Sequence, residues 1–94
     1  MRELRTYQSA VSFYRLAKLL PLPGHLKSQL LRAASSCALN IAEGFGKDSV
    51  ADTKRFLHIA MGSVRECQAI FDLAHPAIAD SLIDQLDGHR GLNL

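Results

Sequence analysis

The stretch Leu26-Lys27-Ser28-Gln29-Leu30-Leu31-Arg32-Ala33-Ala34-Ser35-Ser36-Cys37-Ala38-Leu39-Asn40-Ile41-Ala42-Glu43-Gly44-Phe45-Gly46 decides the fold class. At 100° per residue, Leu26, Leu30, Ala33, Ala34, Cys37, Ala38 and Ile41 fill one broad arc, and Ser28, Arg32, Ser35, Ser36 and Glu43 fill the opposite one. The spacing predicts an amphipathic helix over about residues 25–43. Its apolar arc is built mostly of small side chains, so a neighbouring helix can approach closely. Leu39 falls in the polar arc, where it is either a single exposed leucine or the first sign of a subunit contact.

Downstream, Gly44-Phe45-Gly46-Lys47-Asp48-Ser49 forms a short turn, with glycine available for a left-handed helix cap. Ser49-Val50-Ala51-Asp52 has the form of a capping-box start. So short a link makes the flanking helices antiparallel neighbours. The next helix, about 50–73, is expected to bury Phe56, Ile59, Ala60, Ser63, Val64, Cys67, Ile70 and Phe71 and to turn Lys54, His58, Arg65 and Asp72 outward. Gly62 lies in its middle, where glycine costs about 1 kcal/mol relative to alanine; close helix packing is the expected compensation.

Upstream, Tyr7, Ala10, Phe13, Tyr14, Ala17 and Leu20 share one face of a helix over about 4–20, opposite Arg5, Gln8, Ser12 and Arg15. Pro21-Leu22-Pro23-Gly24 ends it, because each proline removes a donor and biases the residue before it away from helical geometry. After His75-Pro76, the apolar positions Ile78, Leu82, Ile83 and Leu86 predict a short fourth helix over about 77–87. Three turns cannot cover the six turns of the third helix. An apolar strip is left over, which self-association would bury. The expectation is thus an all-α, up-down-up-down antiparallel four-helix bundle forming one domain over residues 1–94.

Composition fits this reading, with 48% hydrophobic residues, 6% aromatic and no tryptophan. No apolar run reaches a membrane span, and Met1-Arg2-Glu3-Leu4-Arg5 leads into an amphipathic stretch rather than a signal-peptide core; a cytoplasmic protein is expected. The net charge of +2 is unevenly spread. Residues 1–55 carry nine Lys or Arg against four acids, a balance of +5, whereas residues 56–94 balance at −3. Either this is an ordinary solvated surface, or the basic half faces a polyanion.

Catalytic and metal motifs fail on spacing. Gly46-Lys47 is not a phosphate-binding loop, since Ile41 stands where the first glycine is needed and Asp48 where Ser or Thr is needed. His25, His58, His75 and His89 form no ligand cluster, and His58 with Glu66 is too loose for an acid-base pair, so no metal, cofactor or enzymatic activity is expected. Counted from the turn, Cys37 and Cys67 differ in level by about 15 Å, which predicts buried, unpaired thiols. Asn40 and Glu43 are expected to hydrogen-bond to a neighbouring helix or to the Gly44 turn.

The run from Leu30 to Ala34, then Asn40-Ile41-Ala42-Glu43-Gly44-Phe45-Gly46-Lys47, followed by Phe56-Leu57-His58-Ile59-Ala60-Met61-Gly62-Ser63-Val64-Arg65-Glu66, resembles the four-helix-bundle proteins encoded in intervening sequences of 23S ribosomal RNA genes. The resemblance covers about residues 4–74 and is weaker beyond, where the fourth helix is shorter than is usual for the family. Asn40, Glu43, Gly44 and Gly62 belong to the shared motif. It implies a left-handed bundle that assembles into a ring, typically a homopentamer, without enzymatic activity. It further implies kinship with the accessory variability determinant of diversity-generating retroelements, which binds nucleic acid and a reverse transcriptase.

Two functions follow as expectations. The first is an oligomeric RNA- or DNA-binding scaffold whose ring repeats Lys27, Arg32, Lys47, Lys54 and Arg55. The alternative is a protein-protein adaptor in which Leu39 and the strip beside the fourth helix contact a partner and the basic half is incidental.

Overall fold

In the computed structural model, residues 2–74 are described, and they form three helices with no strand among them: α1 (Arg2–Ala17), α2 (Gly24–Phe45) and α3 (Val50–Ala74). The expected fourth helix, residues 77–87, lies outside the described residues.

Helix α1 ends three residues earlier than its apolar spacing suggests. Leu19 N–H and Leu20 N–H donate to Leu16 O and Ala17 O, so the chain tightens to three-residue bonds before Pro21 excludes helical geometry at Leu20. Helix α2 starts directly after Pro23 and continues two residues past Glu43. Its C-cap is Gly46 at φ −91°, ψ −1°, an ordinary right-handed conformation; the left-handed glycine cap expected here does not form. The Gly46 and Lys47 N–H groups instead donate to Glu43 O and Gly44 O. The start of α3 follows the sequence signal, with Ser49 Oγ accepting the Asp52 N–H at 3.1 Å.

Helix α2 is the centre of the molecule and packs on both α1 and α3. Leu30, Ala33, Ala34, Cys67 and Ile70 join Ala17 and Leu26 in one core cluster; Ala10, Cys37, Ala38, Ile41 and Ala60 form a second. Small residues let the three helices close on each other, and Leu30 is fully buried among them. The backbones of α1 and α3 stay apart. Phe13 and Phe71 bridge them edge to face, with centroids 6.3 Å apart. Beside that bridge runs an apolar groove of about 420 Å³, floored by Cys37 and Ile41 and walled by Ala10 and Phe13 on one side and Val64 and Cys67 on the other.

Two residues expected in the core are not there. Ile59 and Val64 are 44% and 43% exposed. Val64 faces the open groove, and Ile59 lies on the opposite side of α3, in the row of Gly62 and Glu66, outside the contact with α2.

The glycine roles are also exchanged. A Cβ at Gly44 would stand 3.1 Å from Phe56 Cβ and 3.3 Å from Thr53 O, so α3 approaches Gly44 too closely to leave room for a side chain. At Gly62 a Cβ would meet nothing within 4 Å, so the close packing expected there is absent among the described residues.

Candidate nucleic-acid interface

Of the five basic residues singled out, three meet at the α2–α3 turn. Phe56, in the second turn of α3, is half-buried with its Cβ against the Gly44 position. Lys47 Nζ sits 5.1 Å from the centre of its ring and Arg55 Cζ 4.6 Å from it. The quadrupole of the ring holds both cations while leaving their outer sides to solvent. Lys54 and His58, one turn apart on α3, border Arg55 in a shallow depression completed by Ala51 and Ile59. Asp52 lies 3.6 Å from Arg55 and Glu43 3.2 Å from Lys47. Both pairs are on exposed chains, where such contacts are worth under about 1 kcal/mol and exchange readily. Among the described residues no carboxylate pairs with Lys54.

The other two candidates do not join this cluster. Lys27 is near the opposite end of α2, about 30 Å away along the helix axis. Arg32 is engaged across the α2–α3 seam by the Glu66 carboxylate. Leu39 is 66% exposed, on the side of α2 turned from the core. His58 joins the basic group through its place in the helix, one turn beyond Lys54, and that i, i+4 spacing was the available signal for it.

The motif residues around the turn have structural duties. Asn40 Nδ2 donates to Ser36 O at 2.7 Å and to Ser36 Oγ at 3.1 Å, both on its own helix. Ser36 Oγ in turn lies 3.1 Å from Ser63 Oγ, which is 3.2 Å from Ile59 O. The chain of bonds reaches α3, so Asn40 is tied to its neighbour indirectly. Glu43 holds Lys47.

Cys37 and Cys67 are both buried and free, and they line the same groove. With Ser36 opposite Ser63, their levels differ by roughly 8 Å rather than about 15 Å, because the turn slides α3 along α2 relative to a symmetric hairpin. Burial pushes both thiols above the ordinary value; for Cys67 the neighbouring Cys37 and Glu66 charges add to the effect, and a backbone hydrogen bond partly offsets it. They are resting thiols, not nucleophiles. Among the described residues there is no group of three or more His, Cys, Asp or Glu side chains that could hold a metal ion. No described helix is long and apolar enough to cross a membrane.

Three antiparallel helices packed through small residues, with three cations gathered at one turn, define an all-α bundle protein. The chain belongs to the 23S rRNA-intervening sequence protein family, whose model matches residues 3–79. No curated protein and no solved structure gives a significant match.

Proposed function

We propose that this protein is a non-enzymatic, self-assembling helical bundle that binds the phosphate backbone of RNA or DNA through the α2–α3 turn. The observation that carries the reading is the cluster of Lys47, Lys54, Arg55 and His58, with two of its cations fixed on Phe56 and one free of any carboxylate among the described residues. Such a cluster offers charge and no base-reading element, so binding is led by phosphate contacts.

The same proposal covers the rest of the architecture. It includes the short fourth helix that the apolar spacing of Ile78, Leu82, Ile83 and Leu86 predicts over about residues 77–87. Assembly into a ring, a homopentamer as the resemblance implies, then repeats a weak cluster several times and raises its avidity without new contacts. A reverse transcriptase or another protein partner belongs to the adaptor alternative.

Fluorescence titration of structured RNA and of duplex DNA against salt tests the reading. Affinity falls steeply with salt, and each of Lys47→Ala, Lys54→Ala and Arg55→Ala lowers the slope of log K against log salt by about 0.9 for every phosphate it no longer neutralises. Binding that is absent at low salt, or indifferent to salt, refutes it.

A further inference from the structure

Among the described residues nothing packs on Gly62. It weakens the middle of a 25-residue helix, yet the space a side chain would take is empty. It stands in a row with Ile59, Glu66 and Leu73, three, four and eleven positions away, all on one face of α3. Ile59 is 44% and Leu73 68% exposed. Glu66 reaches Arg32 of α2, so this row looks out on the same side as the α2 row of Arg32 and Leu39, which are two turns apart.

Between the two rows the seam is internally satisfied. Asn40, Ser36, Ser63 and the Ile59 carbonyl hydrogen-bond to one another. They can therefore be covered with these bonds kept in place. On this face Arg32 is paired with Glu66. Those two charges cancel, unlike that of Lys54 around the helix.

We infer that this outer α2–α3 face, centred on Gly62, is the surface on which a second copy of the chain packs. Another copy brings both signs of charge to meet the Arg32–Glu66 pair on this face. Size agrees. Two helices of 22 and 25 residues, at usual interaxial spacing, offer about 600 Å² on one face, the lower limit per partner for a specific interface. The missing side chain at Gly62 lets the partner backbone come close, and Leu39, Ile59 and Leu73 supply the apolar contact. The inference rests on the self-assembly reading and names its surface.

Light scattering with native mass spectrometry tests it on the full chain. The unaltered protein is oligomeric, and both Gly62→Arg and Leu39→Glu weaken assembly at least about tenfold. Their helical circular dichroism is retained, since Gly62→Arg replaces a poor helix former with a good one in open space. Lys54→Glu, off this face, leaves the mass unchanged. If the unaltered protein is an oligomer and Gly62→Arg keeps its mass, the assigned face is wrong while self-assembly stands. An unaltered protein that stays monomeric at high concentration overturns both.

Discussion

Replacing each of two glycines by alanine separates close helix packing from helix propensity. Alanine gains up to about 1 kcal/mol over glycine within a helix, and somewhat less at Gly44, one residue from the end of α2. At Gly62 that gain is unopposed, because the new methyl meets nothing within 4 Å. At Gly44 the methyl stands 3.1 Å from Phe56 Cβ and 3.3 Å from Thr53 O, atoms that move only if the α3 backbone moves. Overpacking of this kind costs about 1–3 kcal/mol. Gly62→Ala is therefore expected to stabilise the monomer by about 1 kcal/mol, and Gly44→Ala to be destabilising by up to about 2 kcal/mol. The gap between the variants corresponds to a Tm difference on the order of 5–20 °C for a domain of this size. Urea and thermal unfolding followed by circular dichroism, at low protein concentration, measure both. A Gly44→Ala protein as stable as Gly62→Ala would refute the close approach of α3 to Gly44.

Two further outcomes concern the core. Leu30→Ala, at the one large side chain completely enclosed among the described residues, is expected to cost about 2–5 kcal/mol in urea unfolding, with the spread set by how far the surrounding alanines collapse. The thiols of Cys37 and Cys67 ionise above the ordinary 9.0 because burial disfavours the thiolate. The folded state thus holds its protons more tightly, so the stability the thiols contribute is complete below pH 9.0 and is lost as pH climbs past it through their raised values. Urea midpoints measured across that range should fall less steeply in a Cys37→Ala, Cys67→Ala variant, and Ellman's reagent should label the native thiols much more slowly than the unfolded ones.

The buried arc of α2 was legible because its period is unambiguous: every position from Leu26 to Ile41 placed inward is buried. Periodicity also located the turn and the Ser49 cap. It assigns a residue to a row, however, and not to a neighbour. Ile59 and Val64 border the buried row of α3 on either side, and only the position of α2 decides that both lie outside the contact. Gly44 and Gly62 look alike in sequence, and register alone puts the first against Phe56 and leaves the second open. The same slide of α3 along α2 brings Cys37 and Cys67 nearer in level than counting from the turn allows. Charge totals marked the basic half but not its grouping, which depends on Glu66 reaching Arg32 and on Phe56 collecting Lys47 and Arg55.

Phe56 joins two things usually free to vary separately. Its Cβ rests against the Gly44 position between the helices, while its ring carries the cations of the turn. The spacing of those two charges is therefore gauged by the interhelical distance at Gly44, so a substitution that wedges the helices apart also spreads the charges. A mutational survey of this chain would then find that core substitutions near the turn shift the positions of surface charges before the fold is lost.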